Sequence, residues 1–340
     1  MYRNLSGIKP NILISAGGTG GHIMPAVTIG SQMEYFRPLY ICGVRDIEKT
    51  IYRDMGIEPF TVNMKNLRPA SIPALISGII KAVSLIISRN IASILMMGSY
   101  AGLPAGIAGL LTNTPVFLME QDIIPGRTIK LFSFFSHIVF TGFNSKYRLP
   151  GRAKCVFTGH PIPERSEPRN FRPEHFFDNT RKTILLTGGS QGALDMYRRV
   201  IDALTEIGRY NIILLAGNYR SSFSDSDNMK VLGFRNDMGR FYASADIIIS
   251  RAGALSIAEI INTGKPSILI PLPRSAGSHQ LKNARYAADA YREIMVIEEH
   301  RVNTATLEKT LDSLPSGTER RQQVNTANII ERTIMECLRM

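Results

Sequence analysis

A glycine run that ends in a histidine is the local pattern most suggestive of chemistry in this sequence. Four glycines fall within residues 17–21, and His22 follows them directly. Glycine lets the backbone turn tightly and bring its N–H groups close to a ligand, and a following helix adds its positive end. We therefore expect an anionic or hydroxyl-rich ligand here. Histidine commonly titrates near neutral pH, so His22 is a candidate general base, the alternative being a structural histidine.

Two familiar ligand loops match this run poorly. No Lys-Ser or Lys-Thr pair follows, as a Walker loop requires, and Ile23 stands where a dinucleotide fingerprint needs its third glycine. A second glycine turn, at residues 188–193, follows another predicted strand, and its Ser190 and Gln191 add side-chain donors. Two strand–glycine turn–helix units, one opening each half of the chain, are typical of two facing Rossmann-like domains.

A third candidate site follows the predicted strand 247–250. The N–H groups of Ala254, Leu255 and Ser256 would open a helix and could bind a diphosphate. Glu259 lies one turn further on, where a carboxylate could accept hydrogen bonds from two ribose hydroxyls. The alternative for Glu259 is an acid that stabilises the start of the helix.

Two further polar clusters lie at the ends of predicted elements. Glu120, Gln121 and Asp122 end a buried strand of the first half, a position typical of ligand sites in parallel sheets, although a solvated loop is the alternative. His279 and Gln280 open a helix of the second half, where their polar groups would suit sugar hydroxyls.

The elements that must position these residues alternate between strand and helix. The predicted strands are residues 11–15, 38–41, 91–97, 115–119, 137–141 and 155–158, then 183–187, 211–216, 229–232, 247–250, 267–270 and 294–296. This alternation predicts an α/β fold with parallel sheets covered by helices on both faces. A chain of 340 residues is too long for one ordinary core, so two domains are expected, with the boundary in the Pro-rich stretch 161–173.

Composition and charge narrow the class of protein. A hydrophobic share of 44% excludes a disordered or fibrous chain. Cys42, Cys155 and Cys337 lack CxxC spacing, which excludes a zinc ribbon and argues against a disulfide framework. The polar N-terminus predicts no signal peptide. Residues 1–158 contain 16 Lys and Arg against 7 Asp and Glu, which indicates an acidic partner (nucleic acid, an anionic membrane or a phosphorylated substrate) or charge that serves solubility.

Two apolar stretches of the first half bear on membrane contact. Residues 90–119 are uncharged and long enough to span a bilayer, but Gly, Asn and Pro breaks predict two strands around a helix at 101–111. Residues 72–88 are apolar nearly all round, so they form either a core helix or a helix at the membrane interface. The main apolar stripe of this segment comprises Ile72, Leu75, Ile76, Ile79, Val83 and Ile86. Cations that could meet lipid head groups flank or interrupt it: Lys65, Arg68, Lys81 and Arg89.

Together these stretches resemble the MurG family, the bacterial N-acetylglucosaminyltransferases that convert the first lipid-linked peptidoglycan intermediate into the second. The matching motifs follow the family's order and spacing over about residues 11–290. They are residues 17–22, Glu120-Gln121 with Pro125-Gly126, Thr158-Gly159 with Pro161, residues 188–193, Phe234 with Asp237-Met238, Ser250-Arg251 with residues 253–255 and Glu259, and Gln280 with Asn283-Ala284. The set is specific, although each motif also occurs in related glycosyltransferases.

The resemblance implies a GT-B architecture, in which two facing Rossmann-like, doubly wound domains enclose an interdomain cleft. Residues 1–162 would form an N-terminal domain that binds the lipid acceptor and faces the membrane. Residues 163–318 would bind the UDP-sugar, and residues 319–340 would form a helix that packs back on the N-terminal domain.

The resemblance also implies roles for individual residues. His22 and Glu120 would be catalytic, with either Glu120 or Asp122 assisting His22. Glu259 would bind the ribose, backbone at Arg235 would face the uracil, and His279 with Gln280 would meet the sugar. The full set of implied substrate-binding residues is Thr19, Gly20, Gly21, Asp122, Pro163, Ser190, Gln191, Arg235, Ala254, Leu255, Ser256, Ile257, Ala258, Glu259, His279 and Gln280.

The implied reaction is direct displacement with inversion. UDP-N-acetylglucosamine would be the donor and an undecaprenyl-diphosphate-linked muramyl-pentapeptide the acceptor. No cofactor and no metal are expected, because helix N-termini can hold the charge of the leaving group and the sequence is expected to lack an Asp-x-Asp metal motif. The implied partners are an anionic membrane surface at the cytoplasmic face of the bacterial cell, where the protein would be peripheral, and other cell-wall synthesis proteins, but no nucleic acid.

Departures from the family pattern keep other functions open. Asp122 and His160 stand where the family usually has Asn, Pro163 where it has Arg, and His279 where many members have Gln. Arg165 could replace the missing arginine as an anion contact. These changes motivate a second hypothesis, a GT-B transferase that makes another glycolipid or exopolysaccharide. A UDP-sugar epimerase and a dinucleotide oxidoreductase or nucleic-acid binder are the remaining alternatives.

Overall fold

The computed structural model describes residues 9–18, 20–64, 71–172, 174–189, 192–321 and 324–338. The chain divides into two compact units. The first contains Met1–Pro161 together with Val324–Met340, and the second contains Ile162–Gln323. The expectations for Thr19, Ser190 and Gln191 lie outside the described residues, as do those for Lys65 and Arg68.

The first unit contains a sheet of seven parallel strands among its described residues, in the order β3-β2-β1-β4-β5-β6-β7. The strands are β1 (Asn11–Ser15), β2 (Arg37–Cys42), β3 (Phe60–Thr61), β4 (Ile91–Met96), β5 (Val116–Glu120), β6 (Ile138–Thr141) and β7 (Lys154–Phe157). The helices are α1 (Gly20–Ser31), α2 (Asp46–Asp54), α3 (Ile72–Ser88), α4 (Leu103–Leu111), α5 (Arg127–Phe132) and the C-terminal α11 (Thr326–Leu338).

Side chains that alternate along β1 pack against helices on both faces of this sheet. Ile12 and Ile14 pack in a cluster with residues of α1 and α11, whereas Leu13 packs with residues of α3, α4 and α5. Glu331 of α11 is buried and accepts hydrogen bonds from the backbone N–H groups of residues 34–36, at 2.7–3.1 Å. The C-terminal helix therefore completes the core of the first unit.

The second unit contains a sheet of six parallel strands in its described part, in the order β10-β9-β8-β11-β12-β13. The strands are β8 (Thr183–Thr187), β9 (Asn211–Leu215), β10 (Met229–Leu232), β11 (Ile247–Ser250), β12 (Ser267–Leu269) and β13 (Ile294–Val296). The helices are α6 (Leu194–Ile207), α7 (Met238–Ser244), α8 (Ala254–Thr263), α9 (His279–Ala290) and α10 (Thr304–Ser313).

In each sheet, successive strands are added first on one side of the opening strand and then on the other. This change of side occurs between β1 and β4 in the first sheet and between β8 and β11 in the second. In open parallel sheets, ligands bind outside the carboxyl ends of the strands at such a change of side. The glycine run follows β1 and the glycine turn follows β8, so both loops lie at these switch points.

The sequence-predicted strands all form, with ends that differ by one residue at most, and only the two-residue β3 is missed. Residues 91–119 form a strand, a helix and a strand as expected, but α4 begins at Leu103 because Tyr100–Gly102 forms a short 3₁₀ turn first. Within the described part of the chain, no helix is both long and apolar enough to cross a bilayer.

Helix α3 packs against the core with one face and exposes the other. Ile72, Ile76, Ile80 and Ile87 are exposed by 53–65% of their surface, although the first two belong to the predicted apolar stripe. The buried face runs instead through the small residue Gly78 and continues through Ala82, Leu85 and Ile86. A Cβ atom at position 78 would lie 3.1 Å from Pro104 Cγ of α4. Close packing of α3 on α4 therefore buries the face of α3 that carries this glycine.

Candidate functional site

The glycine run forms a tight connection between β1 and α1. Gly18 has φ of +94°, a left-handed value that favours glycine, and its N–H donates to Glu48 Oε1 at 2.6 Å. A Cβ on Gly17 would lie 2.6 Å from Ala101 Cβ, so this position also needs glycine. The loop is thus held by neighbouring backbone and by an internal carboxylate, and the Gly18 N–H is already used.

The first turn of α1 carries the predicted acceptor-side residues. Gly20 is buried, Gly21 is exposed and His22 is half-buried. The loop after β4 approaches the imidazole, since a Cβ at Gly98 would lie 3.8 Å from His22 Nε2. His22 therefore lies at the β1/β4 switch point, where the sequence analysis placed a ligand.

Glu120 ends β5 and organises the loop that follows. Its Oε1 accepts from the N–H of Asp122 at 2.8 Å and its Oε2 from the N–H of Gly126 at 2.7 Å. Burial, and then the nearby charge of Asp122, raise the pKa of Glu120 to about 8, while these hydrogen bonds oppose the rise. The raised pKa favours the protonated form of Glu120, which suits a group that shapes the loop or donates a proton rather than a carboxylate base.

Two more contacts fix the loop after β5. The Tyr147 hydroxyl donates to the Asp122 carbonyl oxygen at 3.1 Å, and His160 Nε2 lies 2.8 Å from the carbonyl oxygen of Gln121. A carbonyl can only accept, so Nε2 of His160 carries the proton. Burial lowers the pKa of His160, whose ring packs edge-on against Phe143 at 4.6 Å. In the sequence, His160 is only a departure from the family pattern, whereas in the structure it supports the loop after β5.

In the second unit, α8 starts directly at the β8/β11 switch point. Ala254, Leu255 and Ser256 form its first turn, as predicted, after the extended residue Gly253. The next two predicted binding residues, Ile257 and Ala258, have buried side chains. Any ligand contact by these two would therefore use their backbone.

Glu259 lies in the second turn of α8 and is 7% exposed. The Tyr242 hydroxyl donates to its Oε2 at 2.9 Å, and the Ser166 hydroxyl also bonds to the carboxylate. Burial raises the pKa of Glu259, and these two hydrogen bonds oppose the rise. Tyr242 and Ser166 thus fix the orientation of this carboxylate, and no pattern in the sequence predicts either contact.

The remaining predicted donor residues are distributed around the same end of the sheet. Arg235 is exposed after β10, and His279 and Gln280 form the first turn of α9. Gln280 Oε1 accepts from the N–H of Leu272 at 3.0 Å, which ties this turn to the loop after β12. Pro163 is buried at the start of the second unit.

Arg251 supports the donor side from within the protein. It is buried, pairs with Glu299, and donates to the carbonyl oxygens of Ile270 and Pro271 at 3.2 and 3.3 Å. It therefore connects the ends of β11 and β12. Its position in a Ser-Arg-Ala-Gly motif directly after a strand was the signal available in the sequence.

The expectation that the sequence lacks an Asp-x-Asp pattern is wrong, because one occurs at Asp225-Ser226-Asp227. The pattern precedes β10, at the amino end of the sheet. Asp225 pairs with Lys230 at 2.5 Å and accepts from the N–H of Val231, which gives it a structural role. Among the described residues, no group of three or more His, Cys, Asp or Glu side chains is placed to hold a metal ion.

Comparison with protein families and with known proteins shows which family this chain belongs to. Residues 12–141 match the model of the glycosyltransferase family 28 N-terminal domain, and residues 183–336 match that of its C-terminal domain. A protein of Sulfurihydrogenibium sp. (strain YO3AOP1) is 31% identical over 88% of each chain. It is named UDP-N-acetylglucosamine–N-acetylmuramyl-(pentapeptide) pyrophosphoryl-undecaprenol N-acetylglucosamine transferase. The chain belongs to the MurG family.

Other relatives extend the match in sequence and in fold. The MurG-type protein of Coxiella burnetii (strain Dugway 5J108-111), which bears the same name, is 29% identical over 96% of this chain and 97% of its own. The crystal structure of Acinetobacter baumannii MurG has a TM-score of 0.75 at 22% identity and covers 96% of this chain and 99% of its own. A complex of S. aureus MnaA with UDP has a TM-score of 0.67 at 13% identity, with 97% of both chains covered. These structures show a shared fold, and the GT-B expectation is confirmed.

Within this MurG-family chain, the predicted site residues that are described fall into two sets. Gly20, Gly21, His22, Glu120 and Asp122 lie at the carboxyl edge of the first sheet. The second set lies at the carboxyl edge of the second sheet and comprises Arg235, Ala254, Leu255, Ser256, Ile257, Ala258, Glu259, His279 and Gln280. Pro163 belongs to neither set and lies at the start of the second unit. Their chemical roles stay predictions.

Proposed function

We propose that this chain transfers N-acetylglucosamine from UDP-N-acetylglucosamine to an undecaprenyl-diphosphate-linked N-acetylmuramyl-pentapeptide. The observation that carries the proposal is the 31% identity, over 88% of both chains, to a relative named for this reaction. Membership of the MurG family makes the chain an N-acetylglucosaminyltransferase.

The donor is assigned to the second unit. The first turn of α8 offers backbone N–H groups that have no partner within the helix, and the positive end of the helix, which suit the diphosphate of a UDP-sugar. Glu259 follows one turn later, and a carboxylate there can accept from ribose hydroxyls. Its bonds to Tyr242 and Ser166 keep it oriented before the ligand arrives.

The acceptor is assigned to the first unit, and His22 is the proposed base. As the acceptor's sugar hydroxyl forms a bond to the anomeric carbon of the donor, its proton passes to the imidazole. The bond from that carbon to the UDP oxygen breaks, and UDP leaves with the electron pair. Helix N–H groups at α8 stabilise the leaving charge, and the configuration at the anomeric carbon inverts.

We further infer that the first unit binds an anionic membrane at the cytoplasmic face of the cell, as a peripheral protein. The support comes from the α3 surface, which consists of the exposed Ile72, Ile76, Ile80 and Ile87. Lys81 and Arg89 are exposed on the same helix and at its end. An exposed apolar surface bordered by cations is typical of proteins that lie on anionic lipid.

Lys81→Glu combined with Arg89→Glu is expected to lower binding to anionic vesicles by about tenfold or more, since each basic residue near such a surface contributes about 1 kcal/mol. Sedimentation with phosphatidylglycerol-containing vesicles measures the effect. The matched control is Arg292→Glu with Lys309→Glu, the same change of charge at exposed positions of the second unit. Equal loss in both double variants would contradict a specific role for α3.

A release assay for UDP tests the proposed reaction. Purified protein receives UDP-N-acetylglucosamine with or without the lipid-linked acceptor, each with or without a chelator. We expect UDP release only when donor and acceptor are both present, and at the same rate with chelator. No release in any condition would refute the transferase assignment, and release abolished by chelator would refute the metal-free reaction.

A further inference from the structure

A buried acid lies directly behind the glycine run. Glu48 of α2 has no exposed surface, and its Oε1 accepts from the Gly18 N–H at 2.6 Å. The two residues are 30 positions apart in the chain. A buried carboxylate is costly unless hydrogen bonds compensate it, so its presence here calls for a reason.

Helix α2 holds this loop at two points. Tyr52 follows Glu48 by four residues and therefore lies on the same face of α2. The Tyr52 hydroxyl donates to the carbonyl oxygen of Ala16 at 3.1 Å, and Tyr52 is also fully buried. One face of α2 thus engages a carbonyl just before the glycines and an N–H among them, which fixes the path of the chain into α1.

Neighbouring groups offset part of the cost of burying Glu48. Burial raises the pKa of Glu48, while the N–H groups of Gly18, Gly43 and Arg45 and the Arg45 guanidinium oppose the rise. A Cβ on Gly43 would lie 2.5 Å from Glu48 Oε2, so glycine at that position makes room for the carboxylate. Gly43 therefore leaves space for the acid, and Gly18 donates a hydrogen bond to it.

We propose that Glu48 is a positioning residue of the acceptor half of the reaction: it fixes the glycine run and, through it, the first turn of α1 that carries His22. The inference rests on the proposed function of His22. By occupying the Gly18 N–H, Glu48 also removes that group from the set available to the acceptor's diphosphate. Phosphate contacts from this loop are then left to the N–H groups beyond Gly18.

The first test compares Glu48→Ala with Glu331→Ala. Glu331 is the matched control because it is equally buried in the same unit and also accepts from backbone N–H groups, but on α11 rather than beside the glycine run. A base displaced by about 1 Å loses much of its rate, so Glu48→Ala is expected to lower kcat about tenfold. The KM for UDP-N-acetylglucosamine should stay within about twofold, and Glu331→Ala should lower the melting temperature but not kcat.

Glu48→Gln keeps one side-chain oxygen that can accept from the Gly18 N–H. This variant keeps the inference testable if Glu48→Ala does not fold. Its kcat should recover to within about threefold of wild type, because the loop contact is retained. Equal kcat values in wild type, Glu48→Ala and Glu48→Gln, or equal kcat losses in Glu48→Ala and Glu331→Ala, would overturn the inference.

A double variant separates positioning from general stability. On a His22→Ala background, Glu48→Ala should lower kcat by less than about twofold further, because the group that Glu48 positions is already gone. Independent, multiplying losses would overturn the inference. Wild-type protein with no transferase activity would instead refute the proposed function, so the two failures are distinguishable.

Discussion

His22→Ala is expected to lower kcat by about 10²- to 10⁴-fold, the range that general acid–base groups contribute, and to leave the KM for UDP-N-acetylglucosamine within about twofold. The reason is geometric as well as chemical. The imidazole lies in the first turn of α1 at the β1/β4 switch point of the first unit, whereas the donor is assigned to the second unit. Steady-state kinetics with varied donor and saturating acceptor measure both constants.

The control for this variant is His137→Ala. His137 is exposed and lies just before β6, at the amino end of the same sheet, so its removal should leave kcat unchanged. A His22→Ala enzyme with wild-type kcat would show that another group accepts the proton, and Glu120 or Asp122 would then have to be tested.

Glu259→Ala is expected to weaken binding of UDP by about 10- to 100-fold, because hydrogen bonds to a charged group contribute about 1.5–3 kcal/mol each. The carboxylate is already oriented by Tyr242 and Ser166, so little entropy is lost when the ribose binds. Calorimetric titration with UDP measures the dissociation constant directly and does not depend on acceptor or turnover.

Loss of a buried acid can also weaken binding through instability, so a matched variant is needed. Glu293 of the second unit is also buried and pairs with Arg321 at 2.5 Å. Arg321 also donates to the carbonyl oxygen of Ile261, at the carboxyl end of α8 and away from its first turn. Glu293→Ala should lower the melting temperature of the protein without changing the dissociation constant for UDP. An unchanged dissociation constant in Glu259→Ala would refute the ribose assignment.

The fold was predictable because strand identity is a local property of this sequence. Buried strands such as β8 and β11 are short apolar runs bounded by polar or glycine residues, and they appear at the predicted positions. The two-residue β3 was missed because Phe60–Thr61 has no such run, and only pairing with β2 makes it a strand. Which face of α3 is buried was not predictable either, because Gly78 becomes the contact face only once Pro104 packs on it.

The candidate site was predictable where function depends on backbone or on a motif, and not where it depends on a distant partner. The glycine run and the start of α8 are recognisable in the sequence as local patterns. Glu48, by contrast, looks like an ordinary acid in the first turn of a helix, and its contact with Gly18 depends on the pairing of β1 with β2 and the placing of α2. The contact of Tyr242 with Glu259 was not predictable for the same reason, since the two residues are 17 positions apart in the chain.

The central claim is that this chain adds one N-acetylglucosamine to a lipid-linked muramyl acceptor, and the mass of the lipid product tests it most directly. Purified protein, UDP-N-acetylglucosamine and undecaprenyl-diphosphate-muramyl-pentapeptide are incubated together, and the extracted lipid is analysed by mass spectrometry. We expect an acceptor heavier by one N-acetylhexosamine residue, formed by wild type and lost in His22→Ala. An unchanged acceptor with the donor sugar converted to its 2-epimer would refute the transferase assignment and indicate epimerase activity.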